Sequence, residues 1–161
     1  NLPYNISTEI LSKWIVNLNK NFWFENLILM FQKEVADRII AKHNTSNYGR
    51  LSILSNWKLN VKKILDIKPE SFQPKPKIVS SLLFFTPKKN FFELNEAKNL
   101  EMITRIFFNH RRKMIKKPFN QIFRNAKDVS DKFDIDLKLR PQNLQPEIYY
   151  KLTEEYENLC R

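Results

Sequence analysis

The tetrapeptide Asn1-Leu2-Pro3-Tyr4 brings together three groups that could act on an exocyclic amino nitrogen. Proline at the third position fixes a rigid turn and removes a competing N–H, so that a carbonyl stays available. The Asn1 amide oxygen and a neighbouring backbone carbonyl make two acceptors, and Tyr4 adds a flat face on which a base can stack. The N6 lone pair of adenine is delocalised into its ring and is a poor nucleophile. Acceptors on both of its hydrogens would localise density on nitrogen and favour attack on an electrophilic methyl group. No general base is required, because the proton can leave after transfer. The competing reading is a structural turn in which Asn1 caps a helix and Tyr4 packs.

Charge supports a polyanionic partner. Twenty-eight Lys and Arg against seventeen Asp and Glu give +11, and the surplus is concentrated. From Arg105 to Lys127 there are eight basic residues and no acid, a density that suits phosphate better than a merely solvated surface. Gly49 is the only glycine, so a Gly-rich phosphate or dinucleotide loop cannot be built from these 161 residues. The single Cys160 rules out an intrachain disulfide and a Cys-based zinc site, and it fits a reducing compartment. His43 and His110 have no companions that would make a metal site, and none is expected. No apolar run approaches the roughly 20 residues of a membrane span.

The elements that must hold these residues follow from periodicity. Ser7 is a candidate N-cap, and Ile10, Leu11, Trp14, Ile15 and Leu18 predict an amphipathic helix over 8–19. The apolar run 26–31 is consistent with a buried strand of a parallel sheet. Helices are expected at 33–42 and 51–57, and strands at 60–67 and 78–87. Between those two strands, three prolines hold "PESFQPKPK" extended. After Pro87 the pattern becomes helical. Leu100, Ile103, Phe107, His110 and Met114 fall on one face of a long helix, and a helix initiated at Pro118 follows. Residues 130–145 read as a turn-rich connection. Pro146 then opens a last helix with Tyr149, Leu152, Tyr156 and Leu159 inward. An α/β part and a smaller all-helical part meet at about 87–92.

The stretches "NLPYNIS" (1–7), "MFQKEVADRI" (30–39), "YGRLSIL" (48–54), "FQPKPKIVSS" (72–81) and "FFNHRRKMIKKPF" (107–119) occur in an order that resembles the ribosomal RNA adenine N6-dimethyltransferases, in their small-subunit branch. The resemblance implies the C-terminal part of a Rossmann-like class I methyltransferase sheet (1–88), followed by a helical RNA-binding domain (89–161). It implies S-adenosylmethionine as methyl donor and two adjacent adenosines near the 3′ end of small-subunit ribosomal RNA as target. It places Asn1 and the Pro3 backbone at the target amino group and at the edge of the cofactor. Tyr4 stacks on the base and Phe72 covers its other face, replacing the stacking that an extruded adenine loses. Arg50, Lys75, Lys77, Arg105, Arg111, Arg112, Lys113, Lys116 and Lys117 are the expected RNA contacts. Glu34, Asp37 and Arg38 are read as scaffold salt bridges. The partner is the pre-ribosomal small subunit, and a cytoplasmic monomer without membrane attachment is expected. The family's Gly-rich loop and acidic cofactor ligands precede the NLPY motif and have no counterpart here. The 161 residues alone are therefore expected to be inactive, with a poorly stable α/β part. Two competitors are an RNA-binding assembly factor without catalysis and a large-subunit RNA or DNA adenine methyltransferase.

Overall fold

A computed structural model describes residues 2–18 and 22–160. Its first element, α1 (Ser7–Asn17), buries Leu11 and Ile15 at helical spacing. Ser7 is its first helical residue rather than its N-cap, and the Ser7 hydroxyl donates back to the Tyr4 carbonyl at 3.1 Å. Residue 19, the expected end of this helix, lies outside the described residues. Strand β1 (Leu27–Gln32) runs directly into α2 (Lys33–Ile39). Helix α3 (Arg50–Lys58) continues into β2 (Leu59–Ile67), and β3 (Ser80–Pro87) closes a mixed α/β arrangement.

The sheet order is β1-β3-β2 and both pairings are antiparallel. The parallel neighbour expected for β1 is therefore not found among the described residues. β1 and β2 run the same way but are separated by β3, which returns between them. A continuous apolar run is equally compatible with either pairing, and burial shows how its two faces differ. Leu29, Phe31, Leu83 and Phe85 are buried on the side that faces the helices. Ile28 on the opposite side is 59% exposed.

Helix α3 is the hub. Leu51, Ile53, Leu54 and Trp57 are buried on one side and the small Ser52 and Ser55 on the other, so it packs around its whole circumference. It contacts α1 and α2 over the sheet as well as α4 and α7. Side-chain hydrogen bonds reinforce this junction. Trp57 Nε1 donates to the Phe92 carbonyl (2.7 Å), and the Tyr150 hydroxyl donates to the Ile53 carbonyl (3.0 Å). One hydrophobic cluster thus runs from the sheet into the helical part.

The helical part departs from the expected pattern in three places. Helix α4 (Ala97–Phe108) ends before His110 and Met114, which are both exposed and do not continue its buried face. The chain turns through 109–113 because the Ile115 and Lys116 amides bond to the Leu139 and Leu137 carbonyls (2.8 and 3.2 Å), a tertiary pairing that periodicity cannot reveal. Helix α5 (Lys116–Ile122) starts two residues before Pro118. A further helix, α6 (Ala126–Lys132), then overlaps the start of the stretch read as connection and buries Val129. Helix α7 (Pro146–Leu159) starts at the expected proline and buries Tyr149 and Leu152, but Leu159 is 58% exposed in its last turn. Among the described residues no helix is long and apolar enough to cross a membrane.

Candidate active site and RNA-facing surface

The NLPY motif is anchored at one end of the sheet. The Tyr4 hydroxyl and the fully buried Ser80 hydroxyl share a 2.6 Å hydrogen bond across 76 residues of sequence. Ser80 is the first residue of β3 and pairs with Gln32 and Ile67, the last residues of β1 and β2. Tyr4 is thereby tied to the carboxyl ends of two strands, where ligands sit in open α/β sheets. The Ile6 amide donates to the Pro3 carbonyl at 3.2 Å, forming the turn that leads into α1. That bond uses one lone pair of the Pro3 oxygen and leaves the other. Asn1 lies outside the described residues.

The connection from β2 to β3 returns to the same end and carries Phe72, Lys75 and Lys77. A 3-10 turn at Pro69–Ser71 leads into half-buried Phe72, whose amide donates to the Pro69 carbonyl (3.2 Å). Lys75 pairs with Glu70 at 2.7 Å, while Lys77 is exposed. The base of this connection is fixed by a charge network of which the sequence pointed only to Asp37. Ser81 donates to Asp66 (2.6 Å), and Asp66 lies 3.4 Å from Lys63 and 3.8 Å from Lys33. Asp37 completes the ring, 2.7 Å from Lys33 and 3.7 Å from Lys63. The Ser81 hydrogen bond, supported by the two lysines, holds the Asp66 carboxyl below its ordinary pKa. The hydrogen bond that the Lys33 ammonium donates to Asp37 holds the lysine above its ordinary pKa. Asp37 is thus a salt-bridging residue of the kind expected for its segment. Its nearer partner, Lys33, is one helical turn away in α2, whereas Lys63 and Asp66 come from β2, a link that sequence spacing does not reveal.

The basic segment is built differently. Arg105, Arg112, Lys113, Lys116 and Lys117 are exposed. Two lysines in the first turn of α5 oppose the helix dipole, so helix stability does not account for them. Arg111 stands apart from this group. Its guanidinium donates to Gln142 Oε1 (3.3 Å) and to the Thr45 carbonyl (3.2 Å), tying the 42–48 loop to the helical part. Arg50 begins α3 near Glu101 and Arg105; partial burial lowers its pKa, and Glu101 opposes that fall. Gly49, just before it, has φ −175°, extended backbone that any residue adopts. Its amide donates to Ser52 Oγ (2.9 Å), and the same hydroxyl donates back to the Gly49 carbonyl.

Sequence reasoning also missed Lys58, which is 5% exposed. Its ammonium donates to the Leu18 carbonyl (2.6 Å) and lies 4.0 Å from the Trp57 ring centroid. Burial pulls its pKa down to about 8. A lysine at the end of a helix gives no sequence signal of burial.

This arrangement coincides with one known family. The description "Ribosomal RNA adenine dimethylase" matches residues 1–158. The chain belongs to the ribosomal RNA adenine dimethylase family. Ribosomal RNA small subunit methyltransferase A of Pelagibacter ubique (strain HTCC1062) is 74% identical over 159 residues, which are 99% of this chain and 61% of that protein. The protein of the same name from Ehrlichia ruminantium (strain Gardel) is 47% identical over 146 residues, 89% of this chain and 54% of its own length. A dimethyladenosine transferase from Plasmodium falciparum superposes with a TM-score of 0.83 at 27% identity, covering 98% of this chain and 65% of that one. The 23S rRNA methyltransferase ErmE, 18% identical with a TM-score of 0.62 over 97% of this chain and 63% of its own, shares the fold. The chain spans roughly three fifths of the length of these dimethylase relatives.

Proposed function

We propose that the complete protein containing this chain transfers methyl groups from S-adenosylmethionine to N6 of two adjacent adenosines near the 3′ end of small-subunit ribosomal RNA. On this reading it acts as a cytoplasmic monomer on the pre-ribosomal small subunit. The observation that carries the reading is the Tyr4–Ser80 hydrogen bond, which fixes the NLPY motif to the strand end where the Phe72 connection also arrives. A tyrosine held by its hydroxyl keeps its ring orientation and can serve as a stacking platform. Phe72 supplies the second face, and together they replace the stacking lost on extrusion, a cost of a few kcal/mol. Asn1 and the Pro3-side carbonyl accept the two N6 hydrogens and hold the nitrogen for attack.

The cofactor supplies the electrophilic methyl group when bound. The described residues do not form a cradle for it. The single glycine lies at the start of α3 with its amide bonded to Ser52, and it takes no part in the NLPY turn. The cofactor is assigned mainly to residues outside this chain, with Asn1 and Pro3 at its edge. The exposed outer sheet face around Ile28 supports that assignment, because the remaining two fifths of the relatives' length could cover it. On this reading residues 1–88 are the base-holding part of the methyltransferase domain, and residues 89–161 are an RNA-holding helical domain. The exposed cations of the basic segment anchor the RNA while the sheet end receives the base.

The test is incubation of the complete protein with undermethylated small-subunit particles and S-adenosylmethionine, followed by mass spectrometry of the RNA. N6,N6-dimethyladenosine at two adjacent positions near the 3′ end is the expected product. RNA binding without any methylated adenosine would replace this reading with the non-catalytic assembly factor.

A further inference from the structure

A cleft of about 560 Å³ opens in the basic segment, between the 110–114 turn and the first turn of α5. Its volume lies within the roughly 300–1,000 Å³ of ordinary ligand pockets. Its wall is almost wholly carbon, built by Met114, Pro118 and the stems of Lys113, Lys116 and Lys117. Met114 is 56% exposed, so an apolar side chain is held at the surface with no role in the core. The same three lysines are exposed, and each bears its cation beyond the apolar stem that lines the cleft. Their segment carries no acid between Arg105 and Lys127. An apolar floor whose lining lysines carry cations matches a ligand with a flat, weakly polar body joined to anions.

We propose that this cleft takes an unstacked nucleobase of the RNA partner, with its flanking phosphates on Lys113, Lys116 and Lys117. The inference rests on the reading that the basic segment holds RNA, and it makes that hold selective for unpaired loops over continuous duplex. Met114 suits the task, since its thioether is polarizable and adapts to any base face. His110 and Asn120 at the margin can donate or accept hydrogen bonds to the base edge.

The experiment compares binding of the complete protein to two RNAs, a stem capped by an unpaired purine loop and a blunt duplex of the same stem. Met114→Ser should weaken stem–loop binding about five- to tenfold and duplex binding less than twofold, with an unchanged salt slope. Met114→Leu, which keeps the apolar floor, should bind the stem–loop within about twofold of wild type. Equal effects on both RNAs, or none on either, would overturn the cleft. So would loss of binding to anionic phospholipid vesicles with RNA binding intact, which would assign the floor to a membrane surface. Failure of the cleft alone leaves wild-type RNA binding and methylation in place. Failure of the underlying function removes methylation from the wild-type protein, whatever Met114 variants do to RNA binding.

Discussion

The two charged regions of this molecule use their cations in opposite ways. At the strand end near Tyr4, Lys33 and Lys63 are neutralised by Asp37 and Asp66 within 3.8 Å, and the network fixes the base of the β2–β3 connection. Between Arg105 and Lys127 no acid is present, and most of the cations are exposed. Paired charge at the first region shapes the protein. Exposed charge at the second opposes a helix dipole, and on the proposed reading it serves the RNA. Arg111 marks the border, since it lies in the basic run yet bonds to Gln142 and Thr45 like a structural residue.

The strongest challenge to this contrast comes from the second region. The triple substitution of Lys113, Lys116 and Lys117 to Ala should weaken RNA binding by roughly 10- to 100-fold and flatten the salt dependence by about two to three units of slope. Arg111→Ala should leave the slope nearly unchanged and lower the unfolding midpoint instead. A slope change at Arg111 equal to that at a single lysine would erase the border, and filter binding across a salt series reads both.

Lys58 sharpens the comparison, because it is a buried cation held by a backbone carbonyl and an aromatic face. Its folded pKa, about 8, lies below the ordinary 10.5. The folded state therefore resists its charge below pH 8, and that cost fades as pH rises from 8 towards 10.5. The stability of wild type relative to Lys58→Met should rise across this window by up to about 3 kcal/mol, less whatever the Trp57 face offsets. Denaturant midpoints at pH 7 and pH 9.5 measure it, and a pH-independent difference would contradict the burial argument.

In the paired region the effect is smaller and has the opposite pH sense. Asp66 titrates below its ordinary 3.8 in the folded protein, so its contribution is present above that value and is lost as pH falls through the folded pKa. Asp66→Asn should lower the unfolding midpoint modestly at pH 7, because exposed pairs contribute little, and less at pH 3. An equal effect at both pH values would mean that shape rather than charge is at work there. The smallest effect belongs to Gly49. An added Cβ would meet the Phe108 ring at an ordinary 3.9 Å. Gly49→Ala should change stability by less than about 0.5 kcal/mol, as for ordinary surface sites. A large loss in thermal unfolding would show a demand on this glycine that its conformation does not.

Much of this arrangement was legible in the chain. The strands, α1 to α3 and the start of α7 followed from apolar spacing, and the NLPY motif with the β2–β3 connection marked the candidate end of the sheet. What stayed hidden depended on contacts distant in sequence. The antiparallel return of β3 between β1 and β2 is set by pairing, and an apolar run does not encode its neighbours. The early end of α4 comes from the bonds of Ile115 and Lys116 to the 137–139 segment, which turned Met114 from an expected helix-face residue into the floor of a cleft. Asp66, Ser80 and Ser81 are unremarkable types at unremarkable spacings. Their meaning arises only when the strand ends meet.

The central claim is that the Tyr4 end presents the base while the basic segment holds the RNA. It is tested most directly by measuring turnover and RNA affinity on one preparation of the complete protein carrying Tyr4→Ala and Phe72→Ala. The account predicts that dimethyladenosine formation falls by about 100-fold or more, while RNA Kd and S-adenosylmethionine binding stay within roughly twofold of wild type. Retained turnover, or a parallel collapse of RNA affinity, would contradict it.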